Sequence, residues 1–118
     1  SSAASDVYKR QVGELLERYI HAELSKFGWI RCWGEATKSI DFIKPESADF
    51  IMLQIKNRDN SENSSSKAIR DGTDIKHWFR TFAKTGATNW DAFPDINART
   101  VLSESGFQDF IKAQAPNL

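Results

Sequence analysis

The chain has 118 residues, of which 40% are hydrophobic and 27% charged, and its 16 basic and 16 acidic side chains give a formal net charge of zero. This length suits one domain with a single core, and the charge balance counts against a protein that coats nucleic acid by bulk electrostatics alone. The single cysteine, Cys32, excludes an internal disulfide framework and a cysteine-only zinc site. No apolar run approaches the ~20 residues of a membrane helix and no secretory signal pattern occurs, so we expect a cytoplasmic protein without a membrane partner.

The first eleven residues differ in character from the rest of the chain. Residues 1–11, SSAASDVYKRQ, show no hydrophobic period and resemble translated adaptor sequence. We therefore expect a non-native, disordered leader, with the native chain beginning further upstream, and a functional domain formed by residues 12–118. Its first segment, from Val12 to Phe27, repeats apolar residues at helical spacing, and Gly28 is typical of a helix C-cap.

Strands are predicted after this helix. Trp29 to Trp33 is short and rich in aromatic residues, which favours a first strand. Thr37 to Lys44 and Ala48 to Arg58 predict two more strands, joined by a tight turn at Pro45-Glu46-Ser47. The last strand is apolar on both faces over its first half, so we expect it at the centre of the sheet.

The second half of the chain is predicted to be mainly helical. Asp59 to Ser66 is a polar loop of Asn and Ser, and Ile75 to Ala83 repeats apolar residues at helical spacing. Thr85 to Trp90 reads as a loop, and short helices are predicted around Ile96 to Leu102 and Phe107 to Ala113. This order of elements predicts an α/β fold in which helices flank a small mixed sheet.

A cluster of polar residues lies at the end of the predicted central strand. Because side chains alternate along a strand, Gln54, Lys56 and Arg58 share one face, just after the apolar run of residues 50–53. Asp41 is a lone acid on the preceding strand. Carboxylate and amide oxygens are hard ligands for Mg²⁺, and a lysine beside them can orient or deprotonate a water and screen a phosphate. We therefore predict Asp41 and Gln54 as metal ligands and Lys56 as the residue that handles the water in phosphodiester hydrolysis.

A further acid is expected at this metal site, because the neutral amide of Gln54 binds a cation less strongly than a carboxylate does. Glu17 is the first choice, since it flanks the apolar stripe of the first helix, and Glu62 is the second. Glu14 is expected on the opposite side of the helix. Glu23 falls within the apolar stripe and stays open as an alternative to Glu17.

The polar loop after the central strand carries residue types that bind phosphates and base edges. A solvated Ser/Asn loop would have the same composition, so both interpretations stay open. His21 and His77 are expected on polar helix faces at the surface, without a partner at metal-ligand spacing. The candidate DNA-binding residues are Arg58, Asn60, Ser61, Asn63 and Lys67.

Two resemblances support this interpretation. Asp41, twelve intervening residues and then Gln54-x-Lys56 is similar to the PD-(D/E)xK nuclease signature, with Gln in place of the acid and Ile40 in place of the proline. The stretch LQIKNRDNSENSSS, followed by AIRDGTDIKHWFR and TGATNW, resembles restriction endonucleases of the SinI family, from about the first helix to near the C-terminus.

The resemblance implies a restriction-endonuclease-like PD-(D/E)xK core and a Mg²⁺-dependent type II enzyme that cuts a short site in double-stranded DNA. In that nuclease class a glutamate of the first helix commonly reaches the metal, which is the role expected of Glu17. A cognate DNA methyltransferase in the same restriction-modification system is also implied. A palindromic target would imply a homodimer, because two subunits related by a two-fold axis would cut both strands.

Two other functions remain compatible with the sequence. One is a different nuclease on the same fold, such as a junction-resolving or mismatch-repair enzyme, which the neutral charge disfavours. The other is a non-catalytic DNA-binding or interaction module, in which Gln54 marks a lost acid. A close approach of Glu17 or Glu62 to Asp41 would favour an enzyme over the module.

Overall fold

The computed structural model describes residues 2–33, 40–59 and 75–114. Single 3-10 turns lie at Ser25–Phe27, Trp90–Ala92 and Ala98–Thr100. Across the described ranges, no helix is both long and apolar enough to cross a membrane. In chain order, the helices and strands are α1 (Ser2–Leu24), β1 (Ile30–Arg31), β2 (Phe42–Glu46), β3 (Asp49–Arg58), β4 (Ile75–Thr81) and α2 (Glu104–Gln114).

The first helix forms where its apolar spacing predicts it. Buried residues recur every three or four positions from Leu15 to Leu24, so one face of α1 packs into the core. The chain leaves the helix through a 3-10 turn and Gly28, whose φ of 90° lies in the left-handed region that glycine tolerates. The predicted helix and its C-cap are confirmed. The helix begins at Ser2, however, so residues 2–11 continue it where we expected disorder.

The four strands form one mixed sheet in the order β1-β2-β3-β4. β2 pairs antiparallel with β1 and β3, and β4 pairs parallel with β3. β3 is therefore internal, as its apolar run predicts. The hairpin turn lies at Ser47 and Ala48, later than predicted, because Pro45 and Glu46 still pair with Phe50 and Asp49.

The helix predicted from Ile75 to Ala83 is wrong, because Ile75–Thr81 is strand β4. Trp78 lies beside Ile55 of β3, and its neighbours on the same face are Lys76 and Arg80. Arg80 is largely buried on this face, where its guanidinium lies over the Phe107 ring and pairs with Glu104, whereas Lys76 is exposed. Charged residues on the same face as Trp78 hide the period of two that is typical of a strand. The remaining apolar residues then have a spacing that is typical of a short helix.

The core lies between one face of the sheet and helices α1 and α2. The sheet contributes Phe42, Leu53, Ile55 and Trp78, and α2 contributes the fully buried Phe107. The short helices predicted near the C-terminus are confirmed as the 3-10 turn at Ala98–Thr100 and as α2. The predicted α/β class with a small mixed sheet and flanking helices is thereby confirmed.

Polar anchors hold the C-terminal part of the chain against this core. The Arg80 guanidinium donates to both carboxylate oxygens of Glu104, at 2.8 and 2.5 Å, and the Trp90 indole N–H donates to the same carboxylate at 3.0 Å. The Tyr19 hydroxyl accepts the Ser103 N–H at 3.1 Å. Burial would raise the pKa of Glu104, but the hydrogen bonds from Arg80, Trp90 and Gln108 outweigh it and lower the pKa to about 2.

Glu104→Gln is therefore expected to destabilise the protein and to alter its acid sensitivity. A carboxyl whose pKa is 4.5 in the unfolded chain and about 2 in the folded one stabilises the fold above pH 4.5, and this contribution is lost as the pH falls toward 2. We expect a loss of about 1 kcal/mol at neutral pH, a value reduced by solvent screening, and a flatter pH profile below pH 4.5. Urea unfolding at several pH values measures both quantities.

Asp109→Asn is the matched control, because Asp109 is an exposed acid of the same helix. It should leave the free energy of unfolding unchanged. An acid-induced loss of stability that is the same in Glu104→Gln and in the wild type would contradict the role given to this carboxylate.

Candidate active site

Asp41 immediately precedes β2, and hydrogen bonds from two neighbouring strands fix its position. Its N–H donates to the Leu53 carbonyl oxygen at 2.9 Å, and its own carbonyl oxygen accepts the Cys32 N–H at 2.8 Å. Its carboxylate accepts the backbone N–H of Ile55 at 2.8 Å. The side chain is thus held against the end of β3 by the same pairing that forms the sheet.

Glu17 of α1 contributes to the electrostatics of Asp41. The pKa of Asp41 is raised to about 6, first because the carboxyl is largely buried and then because the Glu17 carboxylate repels its negative charge. The Ile55 N–H and the Arg31 guanidinium act in the opposite direction. A buried carboxyl whose pKa is raised by a neighbouring acid is typical of a functional site.

The other acids of α1 are engaged elsewhere or shared. Glu23, the alternative to Glu17, pairs with Lys26 at 3.1 Å. Glu14 was expected on the opposite side of the helix, which is wrong. Residues three apart are neighbours on a helix, and Glu14 and Glu17 both reach the same guanidinium, that of Arg31. Glu62 lies outside the described residues.

Gln54 and Lys56 lie on the face of β3 opposite the buried Leu53 and Ile55, as alternation predicts. Because Phe42 pairs with Leu53, Asp41 and Gln54 are neighbours across the β2–β3 pair. Lys56 is exposed two residues further along β3. Helix α1, which carries Glu17, packs on the buried face of the sheet. Gln54 lies beside Asp41 on the opposite face.

His77 was expected on the surface of a helix, but it lies in β4 directly beside Gln54. Its Nε2 atom is buried and has no hydrogen-bond partner in the described part of the chain. Burial, and then the nearby Lys56 ammonium, lower the pKa of His77, which favours the neutral imidazole. Sequence reasoning missed this position because it depends on the parallel pairing of β4 with β3.

Arg31 is a second residue that the sequence analysis missed. Its side chain is only 6% exposed, and one of its terminal nitrogens lies 2.9 Å from Glu17 and 3.6 Å from Glu14. The guanidinium also lies over the Trp33 ring, with its central carbon 3.9 Å from the ring centroid. The available signal was an arginine between two tryptophans in a predicted strand, a position where a charge needs a buried partner.

The predicted DNA-binding residues are described only in part. Arg58 is exposed, and its guanidinium donates to the Ala83 carbonyl oxygen at 3.2 Å. Asn60, Ser61, Asn63 and Lys67 lie outside the described residues.

The oxygen donors of the predicted site are of the type that binds a hard divalent cation whose remaining ligands are water molecules. Within residues 2–33, 40–59 and 75–114, no group of three or more His, Cys, Asp or Glu side chains could hold a metal. Mg²⁺ nevertheless binds proteins through one or two carboxylates and keeps several waters. Asp41 and Glu17 supply two carboxylates, while the Gln54 amide lies beside Asp41 on the face of β3 opposite α1.

A cavity of about 190 Å³ elsewhere in the fold does not coincide with this cluster. Lys44, Lys76 and Asp95 contribute to its walls, together with apolar residues, and none of the predicted site residues does.

Comparison with known proteins agrees with the sequence resemblance. The chain matches the model of the SinI restriction endonuclease family over residues 3–115. It is 50% identical over 103 residues to the type II restriction enzyme Eco47I of Escherichia coli, with 86% of this chain and 45% of that enzyme covered. It is also 50% identical over 104 residues to the type II restriction enzyme SinI of Salmonella infantis, with the same coverage of 86% and 45%. The chain thus spans about half the length of these curated relatives.

Asp41→Asn is expected to stabilise the metal-free protein at neutral pH. A carboxyl whose pKa rises from 3.8 to about 6 on folding favours the fold while protonated, and this advantage is lost as the pH rises through that window. The asparagine oxygen can still accept the Ile55 N–H, so only the charge is removed. We expect a gain of roughly 1 kcal/mol at neutral pH, reduced by partial solvent access, and a weaker pH dependence between 4 and 6.

Urea unfolding in EDTA across this pH range measures the effect. Asp91→Asn serves as the control, because Asp91 is exposed in a 3-10 turn and should show no such gain. An Asp41→Asn protein that is less stable than the wild type at neutral pH would show that this carboxylate is a structural anchor instead.

Proposed function

Because this chain belongs to the SinI restriction endonuclease family, we propose that it forms the catalytic part of a type II restriction endonuclease. The proposed reaction is Mg²⁺-dependent, site-specific hydrolysis of phosphodiester bonds in double-stranded DNA. The observation that carries this proposal is the 50% identity to two proteins named as type II restriction enzymes, across 86% of the chain. The expected family resemblance is confirmed by these comparisons.

The proposed fold is a restriction-endonuclease-like PD-(D/E)xK core. Three features support it: an antiparallel β2–β3 hairpin, a parallel β4 beside β3, and helix α1 packed on the sheet before the hairpin. In this core Asp41 occupies the first acidic position, Gln54 replaces the second, and Lys56 keeps the lysine position. The neighbouring placement of Asp41 and Gln54 across the hairpin supports that correspondence.

The proposed metal ligands are Asp41, Glu17 and the side-chain oxygen of Gln54. A bound Mg²⁺ would supply Lewis acidity, which screens the phosphate and lowers the pKa of a coordinated water. Glu17 compensates for the missing charge of Gln54, and its electrostatic contact with Asp41 supports its place in the set.

The remaining roles belong to residues on the exposed face of β3 and after it. The Lys56 ammonium is solvent-exposed at the strand end, where it can orient the attacking water and screen charge on the phosphate. Arg58 lies on the same face and can reach the DNA backbone. Asn60, Ser61, Asn63 and Lys67 follow it in the chain and are proposed to contact phosphates and base edges.

The proposed partners follow from this activity. Double-stranded DNA is the substrate, which places the activity in the bacterial cytoplasm, and a cognate methyltransferase would protect the host copies of the site. A homodimer would cut both strands of a palindromic target, because a two-fold axis relates its two active sites.

The alternative function is a non-catalytic DNA-binding module on the same fold. One observation favours it: the second acidic position is Gln54, and the described residues hold no three-ligand group of His, Cys, Asp or Glu. The raised pKa of Asp41, to which the Glu17 carboxylate contributes even with Arg31 present, argues against it.

DNA cleavage distinguishes the two functions. With Mg²⁺ and a mixed-sequence plasmid, the longest natural chain that contains this sequence is expected to give discrete bands, and EDTA should abolish them. Lys56→Ala should lower the cleavage rate by about 100-fold or more, the usual scale for a residue that orients or deprotonates water. Lys112→Ala, at an exposed lysine of α2, is the matched control and should cut normally.

Cleavage by Lys56→Ala at the wild-type rate would remove this lysine from the chemistry. Salt-sensitive DNA binding without any cutting would instead support the module, and Gln54→Glu would then test whether a restored acid restores activity.

A further inference from the structure

A buried cation lies inside the acidic cluster that is proposed to hold the metal. The Arg31 side chain is 6% exposed, and its terminal nitrogen lies 2.9 Å from a Glu17 carboxylate oxygen. β1 places Arg31 opposite Phe42, the residue next to Asp41, and the guanidinium lies near enough to Asp41 to lower its pKa. Arg31 is thus the cation that the acids of this site share in the metal-free fold.

Arg31 is the cation that two acids of α1 share. One of its terminal nitrogens lies 3.6 Å from Glu14 and 2.9 Å from Glu17. Arg18 pairs with Glu14 at 3.0 Å from the solvent side, with its own side chain 48% exposed, so it screens the outer acid alone. Among the described residues, Glu17 therefore forms its ion pair with Arg31, and a divalent cation bound by Glu17 would take the place of that pair.

The contact between Arg31 and Glu17 is also incomplete. A guanidinium forms its strongest pair with a carboxylate through two parallel hydrogen bonds. Here a terminal nitrogen donates to Glu17, while the Nε atom is buried and has no hydrogen-bond partner among the described residues. An ion pair with an unsatisfied buried donor is weaker than a complete fork, so another ligand can displace it more easily.

The Glu17 carboxylate cannot serve both cations equally. A guanidinium held against Glu17 carries a positive charge within a few ångströms of any metal bound by Glu17 and Asp41, and like charges at that distance in a half-buried place repel strongly. Either the guanidinium moves away from Glu17, or the metal binds less tightly.

We propose that Arg31 is the resident counter-ion of the metal site, which holds Glu17 until a divalent cation displaces it. The inference rests on the proposed function, since it needs Asp41 and Glu17 to bind that cation. Arg31 is then a positioning residue: it keeps two acids together without metal, and its competition sets the cation concentration at which the site fills.

Titration calorimetry with Mn²⁺ or Mg²⁺, without DNA, tests this proposal in the full chain. Arg31→Met is expected to bind the cation about fivefold more tightly than the wild type, because the competitor for Glu17 is gone. Arg31→Lys keeps the charge and should bind with nearly wild-type affinity. Arg18→Met removes an exposed cation from the same helix face and should change affinity little. Equal or weaker binding by Arg31→Met would overturn the proposal.

A measurement on the wild-type protein covers the case in which Arg31→Met does not fold. During the cation titration, the side-chain NMR signals of Arg31 should change, and the midpoint of this change should equal the midpoint of cation binding. The side-chain signals of Arg18 should stay constant. A constant Arg31 signal at saturating cation would also overturn the proposal.

Asp41→Asn separates this inference from the proposed function. If the wild type binds the cation and Asp41→Asn does not, the metal site stands, and the Arg31 results alone decide the counter-ion role. If Asp41→Asn binds the cation as well as the wild type does, the proposed metal site itself is wrong, and the inference fails with it.

Discussion

The position of the Asp41 carboxylate is the constraint on which the candidate site depends. Asp41 forms backbone hydrogen bonds with Cys32, which follows β1, and with Leu53 of β3. Its carboxylate accepts the backbone N–H of Ile55, also in β3. These bonds belong to the sheet itself, so the acid cannot move without opening the β2–β3 pair. Glu17 and Arg31 approach a fixed carboxylate, one from the helix and one from the edge strand. The fold therefore places two negatively charged groups, Glu17 and Asp41, near each other, at an electrostatic cost that a bound cation would reduce.

The same arrangement sets the pKa of Asp41. A buried carboxyl next to a second acid favours protonation, and the pKa of Asp41 accordingly rises to about 6. Arg31 offsets part of that cost, while its own Nε has no hydrogen-bond partner in the part of the chain that the structure describes. Neither partner is fully compensated. Sites of this kind are common where a ligand completes the electrostatics, and they are uncommon where burial alone has to be stabilised.

The sequence predicted those parts of the site that depend on local periodicity. The helical spacing before Gly28 located α1, and strand alternation placed Gln54 and Lys56 on one face. The helix predicted in place of β4 failed because the charged residues Lys76 and Arg80 share the strand face of the buried Trp78, which hides a period of two. His77 was misplaced as a consequence. Arg31 was missed because its partner Glu17 lies fourteen residues away on another element, and no local pattern records that pairing.

The central claim is that Asp41 and Glu17 bind a divalent cation together. Anomalous diffraction from crystals grown with Mn²⁺ would test it most directly, because the ion's position is then observed and not inferred from activity. The account predicts a peak within coordination distance of both carboxylates, with the Arg31 guanidinium turned away from Glu17. A Mn²⁺-saturated crystal with no peak at these carboxylates, and with Arg31 still paired to Glu17, would contradict it.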